Sequence, residues 1–132
     1  MKNEREDIYF RGVFNQQKRP TWWKKNGTLS SAAFKSSNGV SVIKKNDQDE
    51  AYVYSVLKKV IYADYAFSVT SKIIDEVCVF VEVAPSSLSE CHCNLWKNSE
   101  KEDISNHQAK RLSEEAKPAY PHIRYPIVMI YQ

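Results

Sequence analysis

Residues 47–63, DQDEAYVYSVLKKVIYA, contain the clearest helical pattern in the chain and indicate its fold class. The apolar side chains recur at i, i+4, i+7 and i+8, which places them on one face of a helix. Asp47, followed by Glu50 three positions later, is typical of a capped helix start. We therefore predict a helix that ends near Ala63. Its apolar stripe consists of Val53, Leu57, Val60 and Ile61.

Strand-like segments lie on both sides of this helix. Each is short, rich in β-branched or aromatic residues, and bounded by turn residues. Residues 76–83, EVCVFVEV, are apolar almost throughout, as expected of a central strand that is covered on both faces. A second capping pattern, Ser105 with Gln108, predicts a helix that Pro118 ends. The predicted strands are 7–13, 39–45, 65–71, 76–83, 89–96 and 122–132.

The whole chain, residues 1–132, is predicted to form one domain of the α+β class. Its length suits a single hydrophobic core, and no linker, repeat or low-complexity stretch divides it. The combination of strands with two longer helices predicts a mixed, largely antiparallel sheet with those two main helices packed on it.

Composition and the N-terminal residues indicate a cytoplasmic protein without a membrane segment. Hydrophobic content of 42% and charged content of 27% are ordinary for a globular chain. The start MKNERED is charged and lacks the apolar core of a signal peptide, and no apolar run approaches the ~20 residues that span a bilayer. Three cysteines, an odd number, fit a reducing compartment better than a disulfide framework.

The net charge of +3 conceals a strong asymmetry along the chain. Residues 1–62 carry 12 basic and 6 acidic side chains, whereas residues 63–132 carry 7 basic and 10 acidic ones. Between Ile8 and Asn46 there are eight basic residues and no acidic one. Either these cations form a surface for an anionic partner, or the acidic half of the chain neutralises them within the fold. The predicted anion-binding residues are Arg11, Lys24, Lys25, Ser30, Lys35, Lys44 and Lys45.

Two tryptophans interrupt the basic residues in the segment 18–27, KRPTWWKKNG. Cations that contact phosphates, interleaved with rings that stack on bases, are typical of proteins that bind single-stranded nucleic acid. The predicted stacking residues are therefore Trp22 and Trp23. The alternative is that one of these rings points into the core and the other outward, with the lysines merely solvated.

Serines come in pairs in the segment 30–39, SSAAFKSSNG. Hydroxyls, backbone N–H groups and Lys35 could together hold a phosphate, although the segment lacks the Gly-x-x-x-x-Gly-Lys pattern of a P-loop. The alternative is that the hydroxyls satisfy nearby backbone groups in turns, while Phe34 anchors the segment in the core.

The segment 90–94, ECHCN, invites a metal site, but its spacing argues against one. On a strand Cys91 and Cys93 share one face and His92 points to the other, and a structural zinc site usually has two ligand pairs. We therefore predict no metal and no cofactor. His92 is the preferred ionisable residue, because histidine readily exchanges protons at physiological pH. The catalytic candidates are Arg11, Ser31 and His92.

The chain resembles a group of small, poorly characterised bacterial proteins across residues 8–116. Their motifs are a Tyr-x-Arg strand, a Ser-Ser-x-x-Phe-Lys segment, a Gly-x-Ser-Val strand and a histidine near the middle of the chain. These motifs match IYFRGV, SSAAFK and GVSV here. The resemblance implies a compact bacterial cytosolic domain and implies no activity. The matching residues are Tyr9, Arg11, Ser30, Ser31, Phe34, Lys35, Gly39, Ser41 and His92.

The chain is also similar to ADP-ribosyltransferase-like domains, which have an Arg- or His-bearing strand, a Ser/Thr-rich strand and a catalytic glutamate. Arg11 would match the first strand, Ser30 or Ser31 the second, and Glu82 or Glu90 the glutamate. This resemblance implies NAD binding. The chain departs from the pattern in lacking a Ser-Thr-Ser strand.

Two functions follow as hypotheses from these features. The leading one is a non-enzymatic binding or accessory protein whose basic N-terminal half engages an anionic partner, either nucleic acid or an acidic protein surface. Its setting would be bacterial phage defence or a toxin–antitoxin pair. The alternative is a small nucleotide- or phosphate-handling enzyme, similar to ADP-ribosyltransferases, that uses Arg11, Ser30 and His92. It requires Arg11 and His92 to share one concave pocket. The sequence leaves the oligomeric state open.

Overall fold

The structure, a computed structural model, describes residues 7–87 and 89–128, apart from the side chain of Val60. This part of the chain forms six strands, three α-helices and two short 3-10 helices. In chain order the elements are β1 Ile8–Val13, the first 3-10 helix Pro20–Trp22, the second 3-10 helix Ser31–Phe34, β2 Val40–Lys44, α1 Glu50–Ile61, β3 Tyr65–Thr70, α2 Ser71–Glu76, β4 Phe80–Val83, β5 His92–Trp96, α3 Asn106–Glu115 and β6 Lys117–Tyr120.

All six strands belong to one sheet, in the order β4-β5-β2-β1-β3-β6. Each neighbouring pair is antiparallel. Strand β1 lies in the middle of the sheet, and its residues are buried from Tyr9 to Val13. These observations confirm the predicted α+β class, with a largely antiparallel sheet.

Helices cover the sheet on both faces, and each face has its own core. Tyr9 and Val13 of β1 point to one face and Phe10 to the other, because alternate residues of a strand face opposite ways. We call the first the α3 face, since its core includes residues of α3, α2 and the second 3-10 helix. We call the second the α1 face. The α3-face core includes Phe34, Phe67, Ile74, Leu95 and Leu112, and the α1-face core includes Ile43, Val53, Leu57, Ala66 and Ala119.

Helix α1 leaves part of its own face uncovered. It packs on β1, β3 and β6, and it approaches β1 closely at Gly12, where a Cβ would lie 2.7 Å from Ile61 Cδ1. On the other side of β1, the strands β2, β5 and β4 carry side chains on this face that are exposed or half-exposed. We call this surface the open face. It consists of Ser41, Phe80, Glu82, His92, Asn94 and Trp96.

Four predicted strands match the structure closely. They are short, and each has one or both sides on a core: β1 is buried from Tyr9 to Val13, whereas β5 alternates between buried and half-buried residues. The predictions at 7–13, 39–45, 65–71 and 89–96 correspond to β1, β2, β3 and β5.

Both predicted helices are present. The longer one is α1, which begins later than predicted because Asp49, rather than Asp47, caps its first turn. Ser105 and Gln108 form the predicted capping box at the start of α3. Within residues 7–87 and 89–128, no helix has the length and apolar composition needed to cross a bilayer.

The prediction of a central strand at 76–83 is wrong. Residue 76 ends α2, and the strand is limited to β4, which lies at the edge of the sheet. Val77 and Val79 are apolar because they are buried in the α3-face core. Between them Cys78 has a φ of +57°, so the chain turns there. Burial therefore explains the apolar run without a continuous strand.

The C-terminal strand predicted at 122–132 is wrong in the part that the structure describes. Residues 122–128 contain no strand, and residues 129–132 lie outside the described part. The edge opposite β4 is formed instead by β6. Pro118 is tolerated in β6 because an edge strand needs no backbone donor on its outer side.

Candidate functional site

The predicted anion-binding lysines are dispersed over the fold. Lys44 is the last residue of β2 and pairs with Asp7 at 3.4 Å. Lys35 follows the second 3-10 helix, and its Nζ is hydrogen-bonded to Asn106 Oδ1 at the start of α3. Two of the predicted anion-binding lysines, Lys35 and Lys44, are therefore already bound to groups of the protein itself.

The remaining lysines lie at different ends of the sheet. Lys45 is half-buried beside Lys44. Lys24 and Lys25 are exposed in the turn that follows Trp23, and Trp23 packs against Tyr65 at the start of β3. That end of the sheet is opposite Lys44, which pairs with the first half of β1. Lys44 and the neighbouring pair Lys24 and Lys25 therefore lie at opposite ends of the sheet, and an anionic partner stays a prediction.

Arg11, a candidate for both anion binding and catalysis, is only 7% exposed. Its Nε donates to Ala33 O and its Nη1 to Ser41 O, both at 3.0 Å. The guanidinium also lies 5.1 Å from the ring centre of Trp22. Burial lowers the pKa of Arg11 to about 10, so the side chain is still cationic at neutral pH. Arg11 thus braces three parts of the fold against one another.

The two tryptophans follow the alternative interpretation, with one ring in the core. Trp23 is 6% exposed, and its Nε1 donates to Phe14 O at 2.8 Å. Trp22 is half-buried, and its ring contacts Arg11 on the α3 face. Both rings therefore contribute to the packing of the protein itself.

The paired serines also follow their alternative interpretation. Ser30 caps the second 3-10 helix, because its Oγ accepts from Ala32 N at 3.2 Å. The same hydroxyl donates to Thr21 O at 2.5 Å. Ser31 is the first residue of that 3-10 helix, and Phe34 is fully buried. Hydroxyl–backbone contacts and an apolar anchor account for the sequence of this segment.

The structure does not bring Arg11 and His92 into one pocket. Arg11 leaves β1 on the α3 face with Tyr9 and Val13. His92 lies on the opposite face, because its neighbour Cys93 is the one that enters the α3-face core. Together with Ser30, these residues stay apart, so the described geometry does not assemble the composite site predicted from the sequence.

A different partner meets His92 on the open face. In the β2–β5 ladder, Ile43 is opposite His92 and Ser41 is opposite Asn94. This register places Ser41 diagonally across from His92 on the same side of the sheet. Ser41 Oγ lies 2.6 Å from His92 Nε2. Ser41 is exposed and His92 half-exposed.

The second ring nitrogen of His92 fixes the direction of this hydrogen bond. Nδ1 lies 2.8 Å from the Ala84 carbonyl oxygen. A carbonyl only accepts, so Nδ1 carries the proton. In the neutral imidazole Nε2 is then an acceptor, and the Ser41 hydroxyl donates to it. The resulting chain is a serine hydroxyl, a histidine base and a carbonyl that orients the histidine.

A carboxylate network borders this pair. Glu82 Oε1 accepts from Trp96 Nε1 at 2.9 Å and from Asn94 Nδ2 at 3.3 Å, and Glu82 Oε2 lies 2.5 Å from Lys101 Nζ. Hydrogen bonds from Lys101, Trp96 and Asn94 lower the pKa of Glu82 to about 2. Glu82 therefore stays ionised at neutral pH and holds the amide of Asn94 beside Ser41.

A cleft of about 1170 Å³ lies at the end of the sheet where β2 ends and β1 and β5 begin. Its lining includes Pro85 and Cys91, the chain neighbours of Ala84 and His92. The other residues of the lining are mostly polar, and Ser41 and His92 are not among them. The cleft therefore borders the connections beside the pair and not the pair itself.

Ser41 is not among the site residues predicted from the sequence, where it appears only as part of the Gly-x-Ser-Val motif. Its alternation with Val40 and Val42 indicates a side chain on the polar side of β2. Its proximity to His92, which lies 51 residues further along the chain, depends on the pairing of β2 with β5. Alternation alone carries no information on that register.

Comparison with family models, with curated protein sequences and with solved structures gives no match for this chain. The geometry of the described residues is therefore the basis for a functional proposal.

Proposed function

We propose that the protein is a small serine-dependent ester hydrolase, with Ser41 as the nucleophile and His92 as its general base. The observation that carries the proposal is the pair of contacts at the His92 ring, 2.6 Å to Ser41 Oγ and 2.8 Å to Ala84 O. A serine nucleophile requires a base in contact with its hydroxyl and a third group that orients the base. All three groups are present here.

The proposed reaction proceeds in two halves. Ser41 Oγ attacks the carbonyl carbon of the ester while its proton passes to His92 Nε2. The bond to the leaving oxygen breaks, and His92 returns the proton to that oxygen. Water then attacks the resulting ester of Ser41 while His92 accepts a proton from it. The bond between the acyl carbon and Ser41 Oγ breaks, His92 returns the proton to Ser41 Oγ, and the free acid is released. The Ala84 carbonyl stabilises the imidazolium through Nδ1–H in both halves.

Asn94 supports the proposal as a donor for the developing oxyanion. It lies directly opposite Ser41 in the ladder, where Cβ atoms are about 5 Å apart. One N–H of its Nδ2 is used by Glu82, and the amide has a second. A fixed side-chain amide beside the nucleophile contributes about 10²–10³ in rate when it contacts the oxyanion.

Accessibility also favours this surface. Ser41 and His92 are at least partly exposed on the open face, so an ester reaches both without a rearrangement. The leading hypothesis from the sequence requires a common basic face instead, whereas Lys44 and Lys24 lie at different ends of the sheet.

The test is turnover of a small activated ester, p-nitrophenyl acetate, by the purified chain and its variants. Ser41→Ala is expected to reduce turnover to the uncatalysed background. His92→Gln is expected to reduce it by about 10²-fold or more, because general base catalysis contributes about 10²–10⁴-fold. Wild-type turnover at background, or Ser41→Ala with wild-type activity, contradicts the proposal.

Matched controls separate the pair from other residues of the same type. The side chains of Ser37 and His107 are exposed and make no hydrogen bond with the described residues. Ser37→Ala and His107→Gln are therefore expected to keep wild-type turnover. If His107→Gln lowers turnover as much as His92→Gln does, the base has been assigned to the wrong histidine.

A further inference from the structure

We call the boundary between β1 and β2 the seam. A side chain links the two strands there, beyond the point at which their backbone pairing ends. The two strands pair at Tyr9–Lys44 and Phe10–Ile43, whereas β1 pairs with β3 along all six of its residues. Arg11 is the next residue of β1 beyond the paired part. Its Nη1 donates across the seam to the carbonyl of Ser41 at 3.0 Å.

The guanidinium is itself held firmly on the α3 face. Its Nε donates to Ala33 O of the second 3-10 helix at 3.0 Å, and its plane lies over Trp22. It is 7% exposed and forms no ion pair with any residue from 7 to 87 or 89 to 128. A buried cation whose partners are carbonyls and a ring has its position fixed by those partners.

The carbonyl that Arg11 binds belongs to the residue whose hydroxyl meets His92. Ser41 O is held from the α3 face, and Ser41 Oγ lies 2.6 Å from His92 Nε2 on the α1 face. Both contacts are made by Ser41, one by its carbonyl oxygen and the other by its hydroxyl oxygen, and these two atoms are only a few bonds apart. Fixing the main chain at Ser41 therefore fixes where its hydroxyl sits relative to the base.

We propose that Arg11 is a positioning residue that acts through the sheet: it holds the Ser41 backbone so that the hydroxyl stays in contact with His92 Nε2. As a contribution to catalysis, this inference rests on the proposed function. Arg11 itself lies on the opposite face and contacts no reacting atom. A displacement of about 1 Å at a nucleophile costs about 10²-fold in rate, so loss of this contact is expected to be visible in kcat.

The test compares Arg11→Lys with Arg19→Lys. Both arginines lie 5.1 Å from an aromatic ring centre, Arg11 over Trp22 and Arg19 over Phe14. Arg19 is exposed, and its Nη1 donates to the carbonyl of the neighbouring Lys18, so it is a matched control. A lysine keeps the charge but cannot bridge two carbonyls with the same planar geometry.

Two readouts are taken on folded protein: the kinetics of p-nitrophenyl acetate hydrolysis, and the ¹⁵N shifts of the His92 ring. Arg11→Lys is expected to lower kcat by about 10- to 100-fold with KM unchanged, and to shift the His92 Nε2 signal toward that of an imidazole without a hydroxyl partner. Arg19→Lys is expected to leave both unchanged. Arg11→Lys with a wild-type His92 signal overturns the inference.

Two further measurements cover the cases in which Arg11→Lys does not fold or the wild type shows no ester turnover. If Arg11→Lys does not fold, Trp22→Leu removes the ring under the guanidinium while keeping Arg11. A shifted His92 Nε2 signal in Trp22→Leu then supports the inference, and an unchanged signal overturns it. If the wild type shows no ester turnover, the proposed function fails, but the ¹⁵N comparison still decides whether Arg11 sets the contact between Ser41 and His92.

Discussion

At the scale of single residues, the orientation of His92 follows from one carbonyl. Because Ala84 O can only accept, Nδ1 must carry the proton of the neutral ring. We expect ¹⁵N NMR of the wild type to show the Nδ1–H tautomer of His92. Ser41→Ala is expected to preserve that tautomer while the Nε2 shift changes. A predominant Nε2–H tautomer would show that Ser41 accepts rather than donates, and it would remove the base from the proposed pair.

Glu82 gives a prediction about acid stability. Hydrogen bonds from Lys101, Trp96 and Asn94 lower its pKa from 4.5 to about 2 in the folded chain. A lowered carboxylate pKa stabilises the fold above the unfolded pKa, and this stabilisation is lost as pH falls through the folded one. The free energy of unfolding should therefore fall between about pH 4.5 and pH 2 less steeply in Glu82→Gln than in the wild type.

Urea unfolding at a series of pH values measures this difference. The side chain of Glu115 is exposed on α3 and makes no hydrogen bond or ion pair with the described residues, so Glu115→Gln is the control and should follow the wild type. Identical pH profiles for Glu82→Gln and the wild type would mean that the three donors do not stabilise the carboxylate.

At the scale of elements, the approach of α1 to the sheet depends on Gly12. A Cβ at this position would lie 2.7 Å from Ile61 Cδ1 and 3.0 Å from Ala63 Cβ. Gly12→Val is expected to lower the free energy of unfolding by about 1–3 kcal/mol, because extra carbons overpack a filled core. Urea denaturation measures the change, with Ser68→Val on the half-exposed side of β3 as the control. Unchanged stability of Gly12→Val would show that α1 does not pack as described.

Local sequence patterns predict the helices and strands whose apolar side chains recur with one regular period. Helix α1 and the capping box of α3 are predicted because their signals lie within a few consecutive residues. The segment 76–83 misleads because Val77 and Val79 are buried on each side of a turn, and burial leaves the same apolar run as a covered strand does. Helix α2 has only six residues, too few to show a helical period.

The prediction of a C-terminal strand at 122–132 is wrong for a different reason. Residues 117–120, KPAY, contain a proline and follow α3 directly, so local preference does not favour a strand there. These residues form a strand because they pair with β3, where Lys117 is opposite Ser68 and Tyr120 is opposite Ala66. Tertiary contacts of this kind are not visible in a local pattern.

At the scale of the whole molecule, the described lysines of the basic N-terminal half are found at more than one end of the sheet. The described lysines point to different ends of the sheet, and Lys18 and Lys44 pair with Asp64 and Asp7. We therefore expect no tight, salt-sensitive binding of nucleic acid, since that binding needs several cations along one backbone track. Fluorescence anisotropy with labelled single-stranded RNA and DNA over a salt series measures this. Micromolar binding with a steep salt slope would contradict the expectation and support a basic interaction face.

The candidate site is less predictable from sequence than the fold, because long-range pairing creates it. His92 is identified as an ionisable candidate from its residue type alone. Its partner is set by the β2–β5 register, and its orienting carbonyl by the β4–β5 connection. Arg11 is identified by its place in the segment without acidic residues, and Ser30 by the paired serines, but the position of each relative to His92 emerges only in the fold.

The central claim, that Ser41 is a nucleophile activated by His92, is tested most directly by covalent labelling. The folded chain is treated with a fluorophosphonate, digested, and the modified residue identified by mass spectrometry. We predict a single adduct on Ser41 that is lost in His92→Gln and retained in His107→Gln. No adduct on Ser41, or equal labelling of Ser41 in wild type and His92→Gln, would contradict the account.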